Sequence, residues 1–233
     1  MVIVRIGAVV LAGGRSERLG RPKQLLPWDS RTLIETVIDE VCRTPSLTAV
    51  VVVLRPEVAE QLGVQPGESL GCARVALPET EGEGCAASYR SGLTALEDSR
   101  LDGVVIVLGD QPGLRAETIE RVVKVWSESG APLAATRYRD GEGHPLVFGK
   151  ELFGELVALR GEKAAWKLVD RYRDRVLWVE FDEPMPRDID TEEDYRAVRE
   201  AWEGRARTEG HLLTRLPERE KGGVGDRREG TAE

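Results

Sequence analysis

Val9-Val10-Leu11-Ala12-Gly13-Gly14-Arg15-Ser16-Glu17-Arg18-Leu19-Gly20-Arg21-Pro22-Lys23-Gln24 is the stretch whose reading decides the fold. An apolar run rich in β-branched residues halts at two glycines, and a basic polar loop follows. Glycines after a buried strand let the backbone turn sharply and bring its N–H groups close to a ligand. Arg15, Arg18, Arg21 and Lys23 surround that backbone with positive charge, as a polyphosphate requires. No Gly-Lys-Ser/Thr closes the loop and no G-x-G-x-x-G is present, so it is neither of the two common phosphate-loop signatures.

Outward from the loop, strand and helix patterns alternate. Val2 to Leu11, Ala49 to Leu54, Arg74 to Leu77, Val104 to Leu108, Pro132 to Thr136, Pro145 to Phe148 and Val176 to Phe181 read as strands. Helical spacing appears in Ile34, Val37, Ile38 and Val41, with Ser30 or Thr32 as N-cap, and in Ile119, Val122, Val123 and Trp126. Shorter helical stretches are Pro56 to Leu62, Tyr89 to Leu96 and Ala165 to Tyr172. A Gly-rich loop over residues 79–88 leads into the Tyr89 helix, and Thr191-Glu192-Glu193-Asp194 has the form of a capping box. This order implies an α/β fold, a Rossmann-like three-layer sandwich around a mainly parallel twisted sheet. The expected domain covers residues 1–203, and the charged stretch 204–233 reads as a disordered tail.

Composition narrows the function classes. The net charge of −8 argues against a general nucleic-acid binder, whose affinity rests on a basic face. No apolar run approaches the roughly 20 residues of a membrane span, and Val2 to Ile6 lacks the basic start of a signal peptide. Cys42, Cys72 and Cys85 are scattered without zinc-type spacing and read as reduced thiols of a cytoplasmic protein. Trp28 stands apart from the other tryptophans because it lies near the glycine loop rather than on an amphipathic stripe.

In an open α/β sheet, ligands bind beyond the carboxyl ends of the strands. The Gly13-Gly14 loop, Gly109-Asp110-Gln111-Pro112 and Arg187-Asp188-Ile189-Asp190 are candidates for that place. Asp110 and Asp190 could hold Mg²⁺, which commonly takes one or two carboxylates plus substrate phosphates. Asp110 also suits a turn, and Asp188 or Asp190 a helix start. Arg15 and Lys23 read as phosphate ligands, while Arg18 can equally anchor the loop to a carboxylate and Arg21 can be a solvated charge. Ser88 and Arg90 open a helix, where they serve an anion or simply an ordinary first turn. His144 is the only histidine within 1–203, and a structural role suits it as well as a functional one.

Leu11 to Pro27 resembles the signature of nucleotidyltransferases related to molybdenum cofactor biosynthesis, in the NTP transferase superfamily. Glu83-Gly84-Cys85-Ala86-Ala87-Ser88, Gly109 to Pro112, Gly143-His144-Pro145-Leu146-Val147-Phe148 and Asp188 to Asp194 agree with it in order. Pro22-Lys23-Gln24-Leu25-Leu26-Pro27, Gly-Asp-Gln-Pro and Gly-His-Pro are similar to the molybdenum cofactor cytidylyltransferase branch. That resemblance implies Mg²⁺-dependent transfer of CMP from CTP to the molybdopterin phosphate, with release of pyrophosphate. Leu11-Ala12-Gly13-Gly14 is instead like the guanylyl branch, which makes GTP the alternative nucleotide. Trp166 departs from the arginine that relatives often carry at that point.

The resemblance implies that Arg15, Lys23 and Asp110 are catalytic, and that Leu11, Ala12, Gly13, Gly14, Arg15, Lys23, Ser88 and Asp110 bind the nucleotide. It places Gly143, His144 and Pro145 at the acceptor and the metal on Asp110 and Asp190. It also admits a molybdoenzyme or its chaperone as a further partner. Transfer to a sugar-1-phosphate or another phosphorylated acceptor, and a non-catalytic cofactor-delivery protein, are the competing readings.

Overall fold

The apolar run before the glycines forms β1 (Ile6–Ala12) at the centre of an eight-stranded sheet. The computed structural model describes residues 4–79, 85–97, 100–161 and 164–213. Val2 and Ile3, the Gly-rich segment 80–84 and the stretch 214–233 therefore lie outside the described residues. β1 pairs in parallel with β4 (Leu47–Leu54) on one side and β7 (Gly103–Leu108) on the other. β4 continues to β6 (Ala73–Ala76) in parallel, and the two-residue β5 (Ser69–Leu70) closes that edge antiparallel. Beyond β7, β9 (Gly141–Gly149) runs antiparallel between β7 and β8 (Leu133–Tyr138), and β10 (Val176–Glu180) returns parallel to β8. The sheet is thus mixed but mostly parallel, as the alternating pattern implies.

Strand side chains alternate between two apolar layers, which is why these runs are continuously hydrophobic. Ala8, Val10, Val52, Leu54, Val105 and Val107 face one layer. There they meet α1 (Leu33–Cys42), α2 (Pro56–Leu62), α4 (Ala116–Ser129) and α7 (Glu192–Leu213). Val9, Val51, Val53, Val104 and Ile106 face α3 (Cys85–Thr94), α5 (Phe153–Ala158) and α6 (Ala164–Arg171). The expected three-layer sandwich follows from this alternation.

Thr32 caps α1 in a reciprocal box with Glu35, whose carboxylate takes the Thr32 N–H at 2.8 Å. The short hairpin before it, β2 (Pro27–Trp28) and β3 (Arg31–Thr32), was not legible as strand. Trp28 is buried against Tyr195 and Trp202 of α7, so it is a core residue despite its place near the loop.

α7 runs to Leu213, so its last residues fall within the stretch 204–233. One expectation is corrected. Cys42 and Cys72 form a disulfide rather than remaining thiols. The end of α1 and the β5–β6 turn meet in space, with Cα atoms 5.8 Å apart, although 30 residues separate the two cysteines. Among the described residues, no helix is long and apolar enough to cross a membrane.

Candidate active site

The chain leaves β1 at Ala12 and turns through Gly13 and Gly14 into a loop that braces itself. Gln24, buried beneath the turn, donates to the Ala12 carbonyl at 2.7 Å and the Gly14 carbonyl at 3.3 Å. Ser16, at φ 54°, accepts the Lys23 N–H on its hydroxyl at 3.1 Å, while its carbonyl takes the Leu19 and Gly20 N–H groups. Loop carbonyls are thereby satisfied internally. On the outer side lies a cleft of about 340 Å³ lined by Gly14, Arg15, Arg21, Gln24, Arg55 and Glu57, among others.

Gly109 brings the second segment against this loop. Its N–H donates to the Leu11 carbonyl at 2.9 Å, and a Cβ there would stand 2.9 Å from Ile34 and 3.0 Å from both Ala12 Cβ and the Leu11 carbonyl oxygen. Glycine suits that approach, since a side chain there would require its neighbours to give way. Asp110 follows at once, and its carbonyl accepts the Ile189 N–H at 3.1 Å. Gln111, buried, donates to the Pro186 carbonyl at 3.2 Å and to Asp188 at 2.8 Å. These bonds lash residues 186–190 to the end of β7 and carry Asp190 to the loop.

There the charges converge. Lys23 Nζ donates to Asp110 Oδ2 at 2.5 Å and to Asp190 Oδ1 at 2.9 Å. Arg18 takes the other Asp190 oxygen at 2.6 Å, and Arg21 pairs with Glu192 at 2.9 Å. Burial works against the Lys23 charge, but Asp110 and Asp190 more than offset it and hold the ammonium above its ordinary pKa. Burial likewise opposes ionisation of Asp190, yet Lys23 and Arg18 keep its carboxyl below the usual range. Asp188 goes the other way, raised by burial and by the nearby Asp110 charge.

Asp110 Oδ1 is buried with no hydrogen-bond partner. An ionised oxygen left bare in this way suits a hard cation. Among the described residues, no three His, Cys, Asp or Glu side chains are grouped to hold a metal ion, so substrate oxygens would have to complete a coordination shell.

Ser88, in the first turns of α3, is buried beside Gly13; a Cβ at Gly13 would stand 2.7 Å from its hydroxyl. Antiparallel pairing of Ile106 with Leu146 puts the amino end of β9 beside the carboxyl end of β7. Gly143, His144 and Pro145 therefore sit on the Asp110 side of the sheet, at an irregularity where β8 and β9 shift register. The Pro145 carbonyl accepts from Thr136 and the His144 carbonyl from Tyr138. His144 is buried edge-on against Trp166, its Nε2 without a partner, and desolvation pushes its pKa down to about 4.

The loop, Asp110, Asp190 and Ser88 are thus brought together, with Gly143 to Pro145 along the same end of the sheet. Arg18 turns out to anchor the loop to Asp190, one of its two expected roles. Gln24, Arg55 and Gln111 went unassigned in the sequence, although Gln24 and Gln111 sit inside the recognised segments. Chemically, the arrangement presents a basic glycine loop to two carboxylates that share one ammonium, as polyphosphate with a divalent cation would need.

The purine catabolism protein PucB of Bacillus subtilis is 30% identical over 202 residues, covering 83% of this chain and 95% of its own. The nicotine blue oxidoreductase of Paenarthrobacter nicotinovorans is 31% identical over 148 residues, 61% of this chain and 70% of that protein. A probable molybdenum cofactor guanylyltransferase of Pyrococcus horikoshii is 28% identical over 176 residues, covering 73% and 83%. Among solved structures, Rv0371c of Mycobacterium tuberculosis superposes with a TM-score of 0.75 at 37% identity, covering 86% of this chain and all of that one. The same mycobacterial protein is also known as a complex with manganese, with a TM-score of 0.71 at 35% identity, covering 84% of this chain and 98% of that one. The MobA-like NTP transferase domain model matches residues 8–176, and with that match the chain belongs to this family and is a nucleotidyltransferase.

Proposed function

We propose that the chain transfers a nucleoside monophosphate, CMP from CTP, to the terminal phosphate of a molybdopterin-type acceptor and releases pyrophosphate. The observation that carries this reading is the pair Asp110 and Asp190, held together by Lys23 at the mouth of the Gly13-Gly14 loop. A divalent cation, Mg²⁺ in the cell, would be held by Asp110 and Asp190 and would neutralise charge on the departing pyrophosphate. The bare Asp110 Oδ1 supports that fit.

The acceptor's phosphate monoester is itself the nucleophile. One of its oxygens bonds to the α-phosphorus, the bond from that phosphorus to the bridging oxygen breaks, and pyrophosphate leaves with the electron pair. No general base is needed, because the monoester is already anionic near neutral pH. The chain's task is to hold two anions together, which is an electrostatic problem. Arg15 and Lys23, beside the Gly13-Gly14 backbone, bind and orient the triphosphate. Ser88 lies next to Gly13, where the nucleoside would rest. Gly143, His144 and Pro145 bound the acceptor side.

CTP is favoured by the Pro-Lys-Gln-Leu-Leu-Pro, Gly-Asp-Gln-Pro and Gly-His-Pro segments. GTP is the second reading, because Gly13 leaves room that an alanine would take from Ser88, and because the Pyrococcus relative bears the name of a guanylyltransferase.

The deciding experiment incubates the protein with molybdopterin, or its metal-loaded form, and each nucleoside triphosphate in turn, measuring pyrophosphate and dinucleotide product. CTP-dependent product supports the first reading, GTP-only product moves the assignment to the second, and no product with any nucleotide removes this acceptor. Asp110→Asn is expected to lower turnover by about 100-fold or more with the fold intact by circular dichroism. Near-wild-type turnover would take Asp110 out of the site.

A further inference from the structure

Lys23 stands where a cation bridging the two carboxylates would stand. Its ammonium is the counter-ion to Asp110 Oδ2 and Asp190 Oδ1, and Arg18 already occupies Asp190 Oδ2. Both oxygens of Asp190 are therefore engaged by cations. A divalent ion can take Asp190 Oδ1 as a ligand once the Lys23 ammonium there withdraws, and that withdrawal removes the closest cation–cation repulsion.

Arg18 is mostly exposed, and its guanidinium pairs with Asp190. Lys23 differs. Its backbone is fixed by Ser16, while its stem runs past the glycine turn, a Cβ at Gly14 lying 3.9 Å from Lys23 Cε. Rotation about a four-carbon stem carries the ammonium from the carboxylates to an anion seated on Gly13 and Gly14, with no movement of the main chain.

We infer that Lys23 is the resident counter-ion of the Asp110–Asp190 pair in the nucleotide-free protein and exchanges with the divalent cation when a triphosphate arrives. The triphosphate takes the ammonium and the carboxylates take the metal, so nucleotide and metal bind as a coupled pair. This rests on the metal assignment made for the proposed function. It adds that the empty protein resists metal alone, which would keep the carboxylates from capturing a cation with no nucleotide to use it.

Mn²⁺, followed by electron paramagnetic resonance, tests this without turnover. Nucleotide-free wild-type protein is expected to bind Mn²⁺ weakly and Lys23→Met to bind it about tenfold more tightly, within the usual range of coupling between sites. Lys23→Arg keeps the charge and should stay weak; Asp110→Asn in the Lys23→Met background should lose the gain. Thermal melts establish that each variant is folded, and Lys23→Gln substitutes if Lys23→Met is not. The companion measurement is Mn²⁺ binding by wild type with α,β-methylene CTP and with α,β-methylene GTP, which should be tight with at least one. Lys23→Met binding Mn²⁺ no better than wild type, while wild type binds it with an analogue, overturns the exchange and leaves the metal site standing. No Mn²⁺ binding by any of these proteins, with or without analogue, removes the metal assignment and the exchange together.

Discussion

His144 is held neutral by its surroundings, and the consequence is measurable. Unfolded, the imidazole protonates near its ordinary 6.5; folded, desolvation delays this to about 4. As pH falls, the unfolded chain takes up the proton first and gains over the folded one. The contribution of this group is thus complete above the unfolded value and is lost as pH drops toward the folded one. The shift is worth about 3 kcal/mol in all. Between about pH 7 and pH 5, wild type should lose roughly 2 kcal/mol more stability than His144→Gln in denaturant titrations. Parallel pH profiles would show that the imidazole does not experience this burial. The sequence left His144 open between structural and functional roles because burial is a property of packing. The close packing at Gly109 was likewise not read from the sequence, because its contacts with Ile34, Ala12 and the Leu11 carbonyl come from other elements.

Elements followed the sequence closely wherever their periodicity was strong. α2 begins at Pro56 and ends at Leu62 before Gly63, whose φ of 69° suits the left-handed C-cap. Thr191 and Asp194 form the expected capping box at the start of α7, with Asp194 N–H to Thr191 Oγ1 at 3.1 Å and Thr191 N–H to Asp194 at 2.9 Å. The two-residue strands β2, β3 and β5 were missed because so short a run has no period. The Cys42–Cys72 bond was missed for a related reason: spacing along the chain says nothing about two elements meeting. It ties the last residue of α1 to the turn before β6, at the amino ends of the parallel strands and away from the carboxyl ends where the candidate site lies. Closing a loop of 30 residues is worth roughly 3–4 kcal/mol on the chain-entropy model. Reduction by dithiothreitol, or Cys42→Ser, should lower stability by about 3 kcal/mol while nucleotide affinity is unchanged. A comparable loss of nucleotide affinity would mean the staple reaches the loop.

At the scale of the molecule, the C-terminal third closes the site that the N-terminus opens. Residues 186–190 are tied to Asp110 and Gln111, and α7 then packs back over the hairpin following the glycine loop. Tyr195 donates to the Pro27 carbonyl at 2.6 Å, and Trp202 meets Trp28 edge-on at 5.7 Å while donating to Asp29 at 3.1 Å. Asp190 thus reaches Lys23 from a segment clamped at both ends. Trp202→Ala should cost about 1–2 kcal/mol of stability, less than a fully buried tryptophan, as read by denaturant unfolding. An unchanged midpoint would show that the outer turns of α7 do not hold the hairpin.

The sequence by itself determined the layered α/β architecture, the place of the glycine loop at the end of the first strand, and the segments that carry chemistry. These are local matters: period two or 3.6, a turn that needs glycine, a cap that needs threonine. Tertiary structure alone decided which cation faces which carboxylate, that two cysteines are joined, and that His144 is sealed from water. The Lys23–Asp190 contact spans 167 positions. No local pattern encodes so distant a pairing; it follows from the strand order and from the bonds that draw residues 186–190 back to the carboxyl end of β7.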